Sequence, residues 1–185
     1  MNREQWLERA VRKVRPFFKK AGHALPDNVR VACGHMGSGT RATHIGECWH
    51  SSASADKGRE IWIRPDQVNS LEVLGILIHE LCHAALPDGT GHRKAFSDLG
   101  KAMLLQGKPT AMASGSEEFH DFWVEFIDKL GHYPQPRFVA GMTLKPKQST
   151  RMIKFECVDG CGMIFRTSAK WAESVSQCPC CGGAL

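Results

Sequence analysis

The stretch HELCHAALPDGTGH, residues 79–92, places three histidines and one glutamate close together in an otherwise apolar segment. His79 and His83 are four positions apart, so on a helix both imidazoles lie on one side, one turn apart. Glu80 is next to the first histidine and can reach a water molecule beside a bound ion. This H-E-x-x-H spacing predicts a zinc site in which the metal acidifies water and Glu80 accepts the proton as general base.

A catalytic zinc site usually has three protein ligands and keeps its fourth position for water. His92 follows the turn PDGTG (87–91), whose two glycines allow the chain to fold back over the helix. We therefore predict that His79, His83 and His92 are the ligands of a catalytic Zn²⁺.

The longer segment HELCHAALPDGTGHRKAF (79–96) resembles the SprT-like family of zincin metalloproteases, which carry H-E-x-x-H, a short loop and then G-H-x-x-x-F. Gly91, His92 and Phe96 match the second element. The resemblance extends over nearly the whole chain. It implies an α+β fold, in which a minimal zincin domain with a small antiparallel sheet and an H-E-x-x-H helix precedes a C-terminal zinc ribbon.

The same resemblance implies a zinc-dependent endopeptidase that acts on nucleic-acid-associated proteins, because the related Spartan proteases cleave proteins crosslinked to DNA. One alternative is a DNA-associated zinc-binding adaptor without protease activity, although a purely structural site has no need of Glu80. Another is a peptide-deformylase-like hydrolase with Cys48, in G-E-C, as third ligand. That arrangement would leave His92 without a role, and the glycine-rich motif of deformylases is missing.

Five of the eight cysteines lie after residue 156. Cys157-x3-Cys161 and Cys178-x2-Cys181 nearly match the spacing of a four-cysteine zinc site, although the SprT-like pattern has two residues inside the first pair. Four thiolates leave no open position, so this second Zn²⁺ is expected to be structural and to stabilise a segment too small to fold alone. The spacing also permits Cys180 in place of Cys181.

Basic and aromatic residues surround these cysteines. Basic side chains neutralise phosphates and aromatic rings stack on bases, so the tail is a candidate for binding single-stranded DNA or DNA with unpaired bases. The candidate contacts are Lys145, Lys147, Arg151, Lys154, Arg166, Lys170 and Trp171. Alternatively, the aromatic rings fill a small core and the charges are simply solvated.

The length of 185 residues and the composition are those of a globular protein with one ordinary domain and a small appendage. The predicted parts are a zincin domain (1–131), a linker (132–150) and the ribbon (151–185). No apolar run is long enough to span a membrane, and the charged N-terminus lacks the features of a signal peptide. We therefore expect a cytoplasmic monomer whose partners are a protein substrate and DNA, without membrane contact.

Periodicity predicts the order of the elements. Apolar residues at helical spacing indicate helices over 3–20, 71–86, 92–107 and 119–131, with Pro16 bending or ending the first. Asn69 is expected to cap the second of these helices. Short strands are expected at 29–33, 43–50 and 60–64.

Overall fold

The computed structural model describes residues 1–34, 44–138 and 152–185. The chain divides into two compact units, Met1–Ala140 and Gly141–Leu185, and each combines helix with a small sheet. The predicted α+β class is therefore confirmed. No helix in the described part of the chain is both long enough and apolar enough to cross a membrane.

The first unit contains four α-helices and a three-stranded sheet within the described residues. The helices are α1 (Arg3–Lys20), α2 (Ser70–Ala85), α3 (Lys94–Ala102) and α4 (Glu117–Leu130). The strands are β1 (Val29–Cys33), β2 (Gly46–Trp49) and β3 (Arg59–Ile63). Two 3-10 helices, Ser51–Ala53 and Pro109–Ala111, lie in the connections.

The sheet is mixed, with the strand order β1-β3-β2. β2 pairs antiparallel with β3, whereas β1 pairs parallel with it. The resemblance implies an antiparallel sheet. This prediction is wrong for β1, which runs parallel to β3. β3 takes the central position because Ile61 and Ile63 are buried in the core, and its antiparallel pairing with β2 leaves only the other edge for β1. β2 lies at the outer edge of the sheet.

The core lies between the sheet and the helices, and α2 is its central element. α2 packs against β2, β3 and the other three helices. Its start is fixed as expected, because the Asn69 side chain accepts hydrogen bonds from the amides of Leu71 and Glu72. The fully buried side chains of α2 include Val73, Leu74, Leu77, Ile78 and Leu81. Burial on several sides explains why its sequence is apolar throughout.

The N-terminal helix is continuous through Pro16, so the expected interruption does not occur. Pro16 is exposed, while Val14 and Phe18 on the opposite side are buried in the core and hold the helix together. Arg3, which is only 5% exposed, donates hydrogen bonds to the carbonyl oxygens of Pro65 (2.8 Å) and Pro136 (2.6 Å).

The chain after α4 also packs on the first unit. Trp6 Nε1 donates a 2.6 Å hydrogen bond to the Gly131 carbonyl oxygen. The Trp6 ring meets the buried Tyr133 ring edge to face, with centroids 5.1 Å apart. Residues 132–138, which form the first part of the predicted linker, therefore belong to the first unit.

The second unit is built on a hairpin. β4 (Ile153–Glu156) pairs antiparallel with β5 (Ile164–Thr167), and the one-turn helix α5 (Ala169–Ala172) follows. Phe155 lies opposite Phe165, and their half-buried rings stack with centroids 5.3 Å apart. This pair provides little apolar core, which is consistent with a unit that depends on its cysteines.

Candidate metal centres

Helix α2 and the turn after it bring three histidines together. The Nε2 atoms of His83 and His92 are 3.1 Å apart, and those of His92 and His79 are 3.4 Å apart. Nitrogens bound tetrahedrally to one Zn²⁺ at about 2.0–2.1 Å lie about 3.3–3.4 Å from one another. The three imidazoles are therefore spaced as ligands of one ion and could hold it.

The tautomer of His79 is set by a backbone carbonyl. His79 Nδ1 lies 3.2 Å from the Met112 carbonyl oxygen, and a carbonyl can only accept a hydrogen bond. Nδ1 therefore carries the hydrogen, which leaves the Nε2 lone pair directed to the other two histidines. Met112 lies in the connection between α3 and α4, next to Ala113, which forms an isolated β-bridge with Gln106. This contact is not predictable from residue types, because any residue supplies a carbonyl.

Burial keeps the three imidazoles neutral. Burial, and then the neighbouring histidines, lower the pKa of His79 and of His83 to about 4. Burial also lowers the pKa of His92. The Phe96 ring packs against all three, and lies closest to His83 at a centroid distance of 4.3 Å. Neutral rings have the free lone pair that a metal ligand needs.

Glu80 lies beside this cluster and is only 7% exposed. Burial, and then the negative charge of Glu47, raise the pKa of Glu80 to about 8. The backbone of β2 passes directly over the side chain: a Cβ atom on Gly46 would lie 2.8 Å from Glu80 Oε1 and 2.6 Å from Ile76 Cγ2. Gly46 is therefore part of the site, although sequence reasoning missed it. The sequence does carry one signal for this close approach, namely a glycine inside a predicted strand.

The histidines and Glu80 line a cavity of about 1130 Å³. The edge strand β2 and the segment 110–115 also contribute to its lining. Cys48 lines the same cavity, but burial raises the pKa of its thiol to about 12. The group that could hold a metal ion consists of His79, His83 and His92 and does not include Cys48. This composition does not favour the deformylase-like arrangement, in which Cys48 is a ligand.

Four cysteines converge in the second unit. Cys157 Sγ lies 3.5 Å from Cys181 Sγ, and Cys161 Sγ lies 3.5 Å from Cys178 Sγ. Sulfurs bound tetrahedrally to Zn²⁺ at about 2.3 Å are about 3.8 Å apart, so this group fits one ion. Cys181 belongs to the group, whereas Cys180 is exposed and lies outside it. Hydrogen bonds from the backbone of Cys181 and then Cys180 lower the pKa of Cys178, which favours the thiolate.

The predicted nucleic-acid contacts of the described residues all lie in the second unit. Lys154 on β4 stands directly opposite Arg166 on β5, and Lys154 Nζ also lies 2.6 Å from Glu156 Oε2. Lys170 Nζ is 5.0 Å from the centre of the Trp171 ring, which is 57% exposed. The remaining candidates, Lys145, Lys147 and Arg151, lie outside the described residues.

Comparison of the chain with protein-family models, with curated proteins and with solved structures finds no match. Function is therefore inferred from the residues and their geometry. Within the described residues, this geometry amounts to two groups able to hold metal ions: three histidines beside a buried glutamate, and four cysteines.

Proposed function

We propose that the chain is a zinc-dependent endopeptidase of SprT-like type, with a minimal zincin domain and a C-terminal zinc ribbon. One observation carries the proposal: three imidazole nitrogens spaced for a single ion line the same cavity as a buried carboxylate. A site that only stabilised the fold would have no use for the open cavity or for Glu80.

In this proposal each residue has a separate task. His79, His83 and His92 hold Zn²⁺, which when bound acidifies water and polarises the scissile carbonyl. The positive charge of a bound Zn²⁺ would favour the ionised form of Glu80. The Glu80 carboxylate would then accept a proton from the attacking water and return it to the departing amine. The edge strand β2 lines the cavity and offers its main chain to an extended peptide, which favours an unfolded segment of a protein as substrate.

Metal analysis combined with a cleavage assay tests this proposal. The wild-type chain is expected to bind two zinc ions and to cleave an unfolded labelled protein. His83→Ala should retain only the ribbon zinc, and Cys161→Ser only the histidine-bound zinc, because the two ligand sets are separate. Wild-type protein that holds two zinc ions and cleaves nothing would instead support an adaptor whose histidine-bound zinc is structural.

A DNA-binding face on the ribbon is a second candidate function, and we infer it from one cross-strand pair. Lys154 and Arg166 are directly opposite each other on neighbouring strands. Like charges in this position repel each other, and Glu156 offsets this only at Lys154. A phosphate between the two side chains would relieve the repulsion, and the exposed Trp171 in the same unit offers a surface on which an unpaired base can stack.

The double variant Lys154→Ala/Arg166→Ala is expected to bind a labelled single-stranded oligonucleotide more weakly than wild type. Its affinity should also depend less on salt. Each lost phosphate contact makes the negative slope of the log binding constant against log salt concentration shallower by about 0.7. Fluorescence anisotropy across a sodium chloride series measures both effects. Lys94→Ala/Lys129→Ala removes the same charge from helices of the first unit and should change neither. Equal slopes for wild type and the ribbon variant would contradict this role.

A further inference from the structure

The third ligand of the histidine site is held differently from the other two. His79 and His83 belong to α2, whereas His92 lies between the end of α2 at Ala85 and the start of α3 at Lys94. Its position therefore depends on the turn at residues 87–91. Gly89 and Gly91 in this turn have φ angles of 80° and 56°, in the region that favours glycine.

Internal hydrogen bonds give this turn part of its shape. The Thr90 hydroxyl and the Thr90 amide both donate to the Pro87 carbonyl oxygen, at 2.7 Å and 3.1 Å. These bonds lie within the turn and do not connect it to the sheet. The Asp88 carboxylate provides that connection.

Asp88 joins the turn to two other parts of the first unit. Its carboxylate accepts a 2.7 Å hydrogen bond from the Ser51 hydroxyl and forms an ion pair with Arg59 of β3. The Arg59 side chain is only 12% exposed, and it also donates a hydrogen bond to the Leu86 carbonyl oxygen at 3.3 Å. His50 Nδ1 lies 3.5 Å from the same carboxylate. One carboxylate thus connects the turn with β3 and with the 3-10 helix after β2.

We propose that Asp88 is a positioning residue of the metal centre: by fastening the turn to the sheet, it holds His92 in place and so determines how tightly the three histidines bind their ion. Without this anchor, the turn with its two glycines would have to become ordered when the metal binds, at a cost in conformational entropy. The inference rests on the metal site of the proposed function and is independent of its catalytic step.

Zinc affinity of the full-length chain tests this inference. In competition with a chromophoric chelator, Asp88→Ala is expected to lower the affinity of the histidine site by about 10–100-fold, the usual effect of losing a group that orients a ligand. The ribbon site should keep its wild-type affinity and serves as an internal reference. Asp88→Asn retains an oxygen that can accept from Ser51, so it should restore part of the loss. Absorption of Co²⁺ bound at the histidine site should change in Asp88→Ala and partly recover in Asp88→Asn.

Two further variants make the result specific. Asp98→Ala removes an exposed carboxylate that pairs with Lys94 on α3, so both zinc affinities should remain unchanged. Ser51→Ala removes one hydrogen bond from Asp88 and leaves the carboxylate in place; it should lower the affinity of the histidine site by a smaller factor. This variant tests the inference even if Asp88→Ala does not fold.

Several outcomes would overturn the inference, and they are distinguishable. Unchanged affinity of the histidine site in Asp88→Ala, or in Ser51→Ala when Asp88→Ala does not fold, shows that Asp88 does not position His92. An equal loss at both zinc sites indicates general destabilisation of the chain. A wild-type chain that holds only the ribbon zinc removes the metal site itself, and with it the proposed function.

Discussion

Glu80→Gln is expected to slow peptide cleavage by about 10²–10⁴-fold, the usual contribution of a positioned general base, while both zinc ions stay bound. Glutamine has nearly the same shape as glutamate, so it fits the buried position on α2. Its amide cannot accept the proton of the attacking water. Steady-state rates on the unfolded labelled substrate, divided by the histidine-bound zinc content of each preparation, measure the effect.

A matched control lies on α4. Glu125 is exposed, pairs with Lys129 and does not line the cavity. Glu125→Gln makes the same chemical change away from the histidine cluster, and its cleavage rate is expected to stay near that of wild type. If Glu80→Gln cleaves as fast as wild type at equal zinc content, Glu80 is not the base.

Gly46→Ala is expected to lower kcat by about 10²-fold, because misplacing a reacting group by about 1 Å can have an effect of this size. The added methyl group would lie within 2.8 Å of Glu80 Oε1, so either the carboxylate or β2 has to move. The three atoms nearest to the added methyl group belong to Ile76 and Glu80 and not to a histidine ligand. Zinc content should therefore remain at two ions per chain while kcat falls.

Gly34→Ala separates this local effect from general damage to the sheet. At Gly34, which follows β1, a Cβ atom would lie 2.8 Å from Cζ3 of Trp62, a similar clash away from the metal centre. This variant should lower the melting temperature but retain the kcat of the folded protein. Equal losses of kcat in the two variants would indicate that Gly46 acts only through the stability of the sheet.

Local patterns in the sequence were sufficient to place most of the elements. β1 lies at the expected residues, and α2 begins after the expected Asn69 cap, because alternating or helical spacing of apolar residues reflects burial on one side. α3 was predicted to continue to residue 107 but ends at Ala102. Its apolar pattern continues beyond that point, yet Leu104 has a φ of 67°, which no helix permits. Met103 and Leu105 are buried beyond the helix by the chain reversal that follows.

The candidate site was predictable where its members are neighbours in sequence. Helical spacing placed His79 next to His83, and two glycines made the return of His92 plausible. The Met112 carbonyl, the close approach of Gly46 and the anchoring of Asp88 are contacts between distant segments. They depend on how the sheet packs on α2, and neither residue spacing nor composition encodes that packing. The parallel pairing of β1 with β3 was missed for the same reason.

Arg3 has a consequence for the synthesis of the protein. Proteins are synthesised from the N-terminus, so α1 is produced before Pro65 and long before Pro136. The Arg3 guanidinium donates hydrogen bonds to the carbonyl oxygens of both prolines. Trp6 likewise donates a hydrogen bond to Gly131, which is translated much later. Domains generally fold as units once their residues are available, so the hydrogen bonds of Arg3 and Trp6 are expected to be complete only after Pro136 has been translated. Although α1 is made before the other elements of the first unit, it is therefore among the last of them to complete its native contacts.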